Sequence, residues 1–381
     1  MNIILTIIIG ALILTLLVTL HELGHFFTAK FFKVKVEEFG IGFPPKLWSK
    51  KKGGTDYSIN AIPAGGFVRL LGEDGEPSSD PKSFASRGPW TRATIIVSGV
   101  VMNLLLAFIL FTVLLVLSNF RVDIPLGVPT GGQSLDLNFP FGTQTSKVMV
   151  LFVQDNTPAH EAQFQQLDEI TSADGRTFGE IESFQRYVTG NAGKEINFDV
   201  YNILDRESRK VVATPRENPP EGEGSLGVFL GEAVTIQYSS LPEKILVGPL
   251  HSINMIYYQA NALSDLVSRA FEEGTPEPVT ETVSGPVGIV AMIGAFIGAT
   301  GAKGIWALVE TIALLSLILA VINVLPIPAL DGGRLFFSVF EGITSKKISP
   351  RVERLVHAGG FVVLILLFIL ITYNDIIKIF R

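Results

Sequence analysis

Long runs of apolar residues without a charged side chain constrain the fold of this chain more than any other feature. Four such runs occupy residues 3–20, 93–118, 311–330 and 358–373. An α-helix rises about 1.5 Å per residue, so about 20 apolar residues are enough to cross the hydrocarbon core of a bilayer. The runs predict a polytopic α-helical membrane protein with four transmembrane helices in a lipid bilayer.

The composition of the chain excludes several other classes of protein. Charged residues make up 17% of the sequence, well below the roughly 25% of a typical soluble domain, which argues against a disordered or purely cytosolic chain. The net charge of −6 excludes a protein built on a basic face, so no nucleic-acid partner is expected. Because cysteine is absent, disulfides and thiolate metal sites are excluded as well.

The distribution of basic residues predicts how the helices are oriented. Residues 21–92 carry 11 Lys and Arg, and residues 331–357 carry five, whereas residues 119–310 carry 12 basic against 24 acidic residues. Short loops rich in Lys and Arg stay in the cytoplasm. The N-terminus and the long acidic segment are therefore expected outside the cytoplasm.

The acidic segment has the patterns of a separate small domain. Alternating residues predict strands at 147–153, 199–203 and 210–213, with a helix near 180–188. These elements predict an α+β domain at about 147–232. Beyond it, residues 243–271 have the character of an amphipathic helix, and the apolar residues 286–300 fit an interfacial or re-entrant piece.

The motif His21-Glu22-Leu23-Gly24-His25 carries the strongest chemical signal. Positions i and i+4 lie on one face of a helix, so His21 and His25 can bind one metal ion, and Glu22 can take a proton from a water beside it. This is the H-E-x-x-H arrangement of zinc hydrolases. Three ionisable residues that continue a membrane helix require a compensating partner, which a metal supplies. A polar turn at the end of the helix is the alternative.

A third ligand is expected, because catalytic zinc usually has three protein ligands. His160, His251 and His357 are available by residue type, but none lies near the cytoplasmic half of the first helix in the predicted topology. Asp331 is expected near that half of the helix. It follows two prolines and precedes two glycines that permit close backbone approach. The alternative is that Asp331 only begins a cytoplasmic turn.

HELGH after the first apolar run and NVLPIPALDGG at the end of the third resemble the site-2 protease family of intramembrane zinc metalloproteases, and within it the bacterial regulator-of-sigma-E protease branch. The resemblance covers nearly the whole chain. It implies one Zn²⁺ per chain held by His21, His25 and Asp331, with Glu22 as the catalytic general base. It also implies that Asn323 binds substrate backbone near the metal.

The same resemblance implies a membrane-re-entrant β-hairpin. Residues 57–71 (YSINAIPAGGFVRLL) are similar to that element of the family. Its strand edge at Gly65, Gly66 and Phe67 is expected to bind an unwound substrate strand by β-addition. An ordinary cytoplasmic hairpin is the alternative.

The family resemblance further implies one extracytoplasmic α+β PDZ-like domain. Residues 157–170 resemble a PDZ segment that usually reads Pro-Gly-Asp-x-Ile, but Gln166-Leu167-Asp168 lacks that glycine. Peptide contact at this domain therefore stays open, beside a role in screening substrates by size or capping the site.

A second departure from the family pattern is the absence of the usual Gly-Pro before Asn103, which leaves Asn103 as a packing or polar residue between helices.

The expected division of the chain follows from these elements. It comprises two transmembrane helices with the hairpin (1–118), the PDZ-like domain (119–240), an interfacial segment (241–304) and the last two transmembrane helices (305–381).

The function that the resemblance implies is metalloendopeptidase activity in a bacterial plasma membrane, or alternatively a plastid membrane. The active site faces the cytoplasmic side. Expected substrates are single-span membrane proteins, such as membrane-anchored anti-sigma factors or remnant signal peptides, cleaved within or near their transmembrane segments. A transporter and a catalytically silent PDZ scaffold are the alternatives. A transporter would have two repeated halves, and no such repeat is found in the sequence. A silent scaffold would have lost a metal ligand or the catalytic base, but His21, Glu22, His25 and Asp331 are all present.

Overall fold

The structure is a computed structural model that describes residues 3–73, 80–126, 137–203, 207–220, 222–298 and 302–380. Its helices, in chain order, are α1 (Ile3–Phe31), α2 (Pro89–Leu117), α3 (Pro158–Glu161), α4 (Ile181–Gly190), α5 (Leu241–Ile245), α6 (Val247–Glu273), α7 (Glu277–Thr282), α8 (Pro286–Gly298), α9 (Ala302–Val324), α10 (Asp331–Thr344) and α11 (Pro350–Phe380). Its strands are β1 (Val36–Lys52), β2 (Thr55–Leu70), β3 (Arg121–Pro125), β4 (Thr143–Val153), β5 (Asp168–Ala173), β6 (Ile196–Asn202), β7 (Glu207–Ala213) and β8 (Val228–Gln237).

The chain divides into two compact units. Unit 1 comprises residues 1–110 and 283–381, and unit 2 comprises residues 111–282. The division falls within α2.

Among the described residues, four helices are long and apolar enough to cross a membrane. They cover Leu5–Phe31, Pro89–Leu117, Gly304–Val324 and Pro350–Lys378. This agrees with the four predicted spans. Many of their large apolar side chains are exposed, as expected for helices whose outer faces contact lipid rather than protein.

Two glycines allow α1 and α2 to approach each other closely. A Cβ atom on Gly24 would overlap the carbonyl group of Ser98 and lie 2.9 Å from the Cα of Gly99. Small residues of this kind permit direct backbone contact between membrane helices. Beside this contact, a cluster of buried apolar residues joins the end of α1, the start of β1, the end of β2 and the start of α2.

Strands β1 and β2 form an antiparallel hairpin that folds back on itself. Phe39 lies opposite both Tyr57 and Val68, so the first part of β1 is flanked by two different parts of β2. The segment that ends β2 therefore forms an outer edge. Ile41, Trp48 and Ile59 lie in register and are exposed, so the hairpin has an apolar surface without a described protein partner.

Helix α8 packs along α1 in unit 1. Gly10 and Gly294 face Val290 and Thr6, respectively, and a core cluster around Leu17 joins α1, α8 and α9. Helix α8 has 13 residues, which at about 1.5 Å each are too few to cross a bilayer. The last two residues of the predicted segment 286–300 lie outside the described residues.

Unit 2 contains an antiparallel sheet that, in the part of the chain described, has the strand order β3-β8-β4-β5-β6-β7. Its core includes Phe184 and Val188 of α4, which lie one helical turn apart and are buried against the sheet. The three predicted strands and the predicted helix are confirmed, with ends that differ by a few residues. Strands β3, β5 and β8 were not predicted.

The third apolar run differs from the helix that it forms. Helix α9 starts earlier than residue 311 and ends at Val324, because Pro326 has no N–H and disfavours a helical residue before it. Residues 331–357, expected to be a connecting loop, contain α10. Asp331 is the first residue of this helix.

Candidate metal centre

Helix α1 brings His21 and His25 together at its cytoplasmic half in the predicted topology. The two imidazoles are one helical turn apart on one face, and they are 6% and 7% exposed, respectively. Their Nε2 atoms lie 3.1 Å apart. Both rings therefore present the same nitrogen to one point.

Asp331, the first residue of α10, places its carboxylate at the same point. Its Oδ2 lies 2.8 Å from His21 Nε2 and 3.1 Å from His25 Nε2. Residues 325–330 form the loop that carries Asp331 back from α9. The structure thus joins residues 306 and 310 positions apart into one cluster, which we call the His–His–Asp cluster.

The hydrogen bonds of His25 indicate what the cluster can hold. Its Nδ1 lies 2.8 Å from the carbonyl oxygen of Ile95, which can only accept, so Nδ1 carries the proton. A neutral His25 then directs the Nε2 lone pair towards the Asp331 carboxylate. This arrangement is repulsive unless a proton or a metal cation lies between them. The donor set therefore fits a cation.

The spacing of the three atoms also fits zinc. Two ligands of a tetrahedral zinc ion, each about 2.05 Å from it, are roughly 3.3 Å apart. The observed separations of 2.8–3.1 Å lie within about half an ångström of that value. Nitrogen and carboxylate oxygen are both ordinary zinc ligands, and a third protein ligand leaves one position open for water or substrate.

Gly99 of α2 leaves room beside the cluster. A Cβ atom at this position would lie 2.5 Å from His25 Nε2 and 2.7 Å from His21 Nε2. Any other residue would therefore push against the ligating edge of both rings. No pattern in the sequence marks Gly99 as a residue of the site.

Glu22 lies next to the cluster and points to the hairpin as well. His21, Glu22 and His25 offer ligand atoms that all lie within 4.8 Å of one another. One Glu22 carboxylate oxygen, Oε2, accepts a hydrogen bond of 3.0 Å from the backbone N–H of Val68 in β2. The edge of the hairpin thus holds the carboxylate that the motif predicts as the base.

A cavity of about 210 Å³ opens on the cluster. Its walls include His21, Glu22 and Asp331 together with Asn103 and Asn323. The cavity brings Asn323 to the site, as the resemblance implies. Asn103 also lines the cavity, although the sequence indicated only a packing or polar residue between helices.

The predicted hairpin residues lie along α1, just before the motif. A Cβ atom on Gly65 would lie 3.6 Å from Val18, and one on Gly66 would lie 3.2 Å from the hydroxyl of Thr19. The ring of Phe67 covers Gly40 of β1. Gly65 has a φ of 148°, at the edge of the region that favours glycine.

His357 does not join the metal cluster but holds the loop that carries Asp331. Its Nδ1 accepts a hydrogen bond of 2.9 Å from the N–H of Ala329, whose φ of 76° is unusual for a residue other than glycine. A Cβ atom on Gly333 would lie 2.7 Å from the carbonyl oxygen of Ile327 and 3.0 Å from the His357 ring, which confirms the close approach expected of this glycine. No pattern in the sequence links His357 to this loop.

The other two histidines lie in unit 2. His160 is exposed near Asp155. His251 is buried and its Nδ1 lies 3.1 Å from the hydroxyl of Tyr238.

Comparisons with known proteins find relatives over nearly the whole length of the chain. A family model described as Peptidase family M50 matches residues 9–367, which include all the residues of the cluster. A protein of Clostridium acetobutylicum, provisionally named a zinc metalloprotease, is 31% identical over 371 residues that cover 97% of each chain. A Clostridium perfringens protein with the same provisional name is also 31% identical, over 97% of this chain and 98% of its own. Zinc metalloprotease RasP of Oceanobacillus iheyensis is 28% identical over 434 aligned positions, 98% of this chain and 99% of its own.

Proposed function

Because the chain belongs to peptidase family M50, the site-2 protease family of zinc metalloproteases, we propose that it cleaves single-span membrane proteins within or near their transmembrane segments. Membership of the family makes the protein a membrane-integral zinc metalloprotease. The substrates, the topology and the roles of individual residues are the content of the proposal.

One observation carries the proposal. Two histidines of an apolar helix long enough to cross a membrane converge with an aspartate that follows a second such helix, and a carboxylate lies beside them. Ionisable residues are costly in a membrane helix and are usually functional there. A hydrolytic centre built between two spanning segments accounts for all four residues.

His21, His25 and Asp331 are proposed to hold the zinc. When bound, Zn²⁺ supplies a Lewis acid that polarises a peptide carbonyl and makes a water molecule more acidic. Glu22 takes the proton from the attacking water at its carboxylate and gives it to the nitrogen of the departing amine. The hydrogen bond from Val68 holds one Glu22 oxygen, Oε2, which leaves the other oxygen to carry the proton.

The hairpin is proposed to enter the membrane and bind the substrate strand. Its exposed apolar surface at Ile41, Trp48 and Ile59 supports a lipid environment. A substrate helix must unwind before cleavage, since helical carbonyls are hydrogen-bonded. The β2 edge near Gly65, Gly66 and Phe67 lies beside α1 next to the motif, where an extended strand could pair, and Asn323 of the cavity wall could hold its backbone.

Unit 2 is proposed to contain an extracytoplasmic PDZ-like domain. Leu167 has a φ of 65°, the conformation that glycine favours, so the backbone of this turn keeps the expected shape although the glycine is missing. The proposed location is a bacterial plasma membrane, with the N-terminus and this domain outside and the active site towards the cytoplasm. Peptide binding by the domain, and substrates such as membrane-anchored anti-sigma factors or remnant signal peptides, are part of the same proposal.

The proposal is tested with the purified full chain and a model single-span substrate in proteoliposomes. We expect the wild-type protein to contain zinc and to cut the substrate within or near its membrane segment, as mass spectrometry of the products locates the cut. Glu22→Gln should retain zinc and lose cleavage, because the amide cannot accept the proton. A chelator should abolish wild-type cleavage, and added zinc should restore it.

The same experiment separates the alternatives. Glu22→Gln with full activity rules out the base role. A wild-type protein that holds zinc but cuts no membrane substrate favours a silent scaffold, whereas substrate-dependent flux across the vesicle without cleavage favours a transporter. Substrate trapping by Glu22→Gln, followed by mass spectrometry, identifies the natural substrates.

A further inference from the structure

Two groups of α2 lie near the two histidines of α1, namely the backbone carbonyl of Ile95 and the side-chain carboxamide of Asn103. The backbone oxygen of Ile95 accepts from His25 Nδ1 and thereby directs Nε2 towards the cluster. Asn103 lies eight residues further along α2, about two helical turns, and its side chain faces His21 Nδ1. The second histidine thus has a candidate partner on the same helix as the first.

The Asn103 side chain is fully buried and only half satisfied. Its exposure is 0%, its Nδ2 lies 3.5 Å from His21 Nδ1, and within the described residues its Oδ1 has no hydrogen-bond partner. A buried carbonyl oxygen without a partner destabilises the fold, because it has lost its hydrogen bond to water. A rotation of the carboxamide by 180° exchanges the two atoms and turns Oδ1 towards His21 Nδ1.

We propose that Asn103 is a positioning residue that accepts the Nδ1 proton of His21 and thereby fixes the tautomer with a free Nε2. In this orientation both histidines donate from Nδ1 to α2 and present an Nε2 lone pair to Asp331 and the metal. The oxygen gains a donor, and the amide nitrogen moves to the position that the oxygen held. Outer partners of this kind fix the tautomer and ring orientation of metal-bound histidines.

The backbone around Asn103 is fixed independently. The hydroxyl of Ser316 on α9 donates a hydrogen bond of 2.9 Å to the Asn103 backbone oxygen. This bond anchors the main chain of Asn103 without involving its carboxamide. Ser316 therefore offers a matched control: a second buried hydrogen bond at the same residue that does not reach His21.

The inference rests on the proposed zinc site, and its test measures zinc affinity rather than activity. The purified full chain in detergent is titrated against a zinc chelator of known affinity. Asn103→Leu has nearly the same shape but no acceptor, so we expect zinc affinity to fall roughly 10- to 100-fold. Asn103→Asp retains an acceptor and should stay within about threefold of the wild type. Ser316→Ala should leave zinc affinity unchanged even if it lowers the melting temperature.

The outcomes distinguish this inference from the proposed function. Wild-type protein without zinc overturns the proposed site itself. Zinc-binding wild type with an equally tight Asn103→Leu overturns only the role of Asn103. Equal losses in Asn103→Leu and Asn103→Asp also overturn it, because they indicate that a donor or the packing matters rather than the acceptor. If Asn103→Leu does not fold, Asn103→Ala against Asn103→Ser, which restores an acceptor, provides the same comparison.

Discussion

Histidine has different partners in the two units of this protein. In unit 1, His21 and His25 direct Nε2 at each other and at the Asp331 carboxylate. In unit 2, His251 pairs with the hydroxyl of Tyr238, which accepts in turn from the Asn254 amide. The comparison shows that burial alone does not mark a metal ligand. Two imidazole nitrogens that converge on one carboxylate indicate a candidate site, because such a group can hold a cation.

The His251 network is satisfied by the chain itself. Asn254 also exchanges two hydrogen bonds with the backbone of Phe141, so a tertiary contact between a helix and a loop of unit 2 is closed by neutral groups. Burial lowers the pKa of His251 to about 4, which keeps the ring neutral. Its contribution is therefore to the stability of unit 2.

The largest effect is expected from removing the carboxylate of the cluster. Asp331→Ala takes away the only anionic member of the proposed ligand set, and zinc affinity and cleavage should both fall by more than about 100-fold, beyond the effect of losing an outer partner. The measurement is zinc content by mass spectrometry of the metal together with cleavage of the model substrate.

Asp375 supplies the control for Asp331. It is a buried aspartate of unit 1, and its carboxylate accepts from the backbone N–H groups of Gly285 and Gly288 near the start of α8. Asp375→Asn should leave zinc content unchanged. Undiminished zinc in Asp331→Ala would show that Asp331 is not a ligand. The proposed difference between the metal-binding histidines of unit 1 and His251 of unit 2 would then be unsupported.

A smaller effect is expected from filling the space beside the rings. Gly99→Ala adds a Cβ atom against both Nε2 atoms, and overpacking of this kind costs about 1–3 kcal/mol. If that cost falls on the metal-bound state, zinc affinity falls roughly 5- to 150-fold. Chelator competition measures the change.

Gly359 in α11 is the matched control for Gly99. It is also a helical glycine of unit 1, but, apart from its chain neighbours and the adjacent backbone of its own helix, no described atom lies within 4 Å of the position of an added Cβ atom. Gly359→Ala should bind zinc as the wild type does. Equal affinities in both variants would mean that the rings can move away at little cost.

The smallest effect concerns pH and His251. The pKa of His251 is about 4 in the folded protein and 6.5 ordinarily, so between these values the unfolded chain binds more protons and stability falls as pH falls. At pH 5 the loss is on the order of 2 kcal/mol relative to pH 7. Hydrogen exchange of α6, corrected for the intrinsic rate, measures this loss.

Replacing His251 isolates its contribution from that of the metal centre. His251→Gln cannot take up a proton, so its hydrogen exchange should depend less on pH, whereas contributions from the cluster remain in both proteins. The same pH dependence in the two proteins would show that His251 does not couple acidification to the stability of unit 2.

The sequence predicted the elements whose physical cause is local. An uncharged apolar run of sufficient length predicts a spanning helix wherever it occurs, and His21 and His25 share a helical face at any i, i+4 spacing. It did not predict α10 or strands β3, β5 and β8. The strands are stabilised by pairing with other segments of the chain rather than by their own periodicity, and residues 331–357 were interpreted as a loop because of their basic residues.

The sequence by itself determined the membrane class, the two histidines with their adjacent carboxylate and, through its resemblance to a family, Asp331 as a candidate ligand. Only the tertiary structure decided that Asp331 meets the histidines, that Gly99 leaves room for them, that His357 holds the loop and that Val68 contacts Glu22. The reason is that these contacts join segments far apart in the chain. Their geometry depends on how helices and strands pack, which no local pattern records.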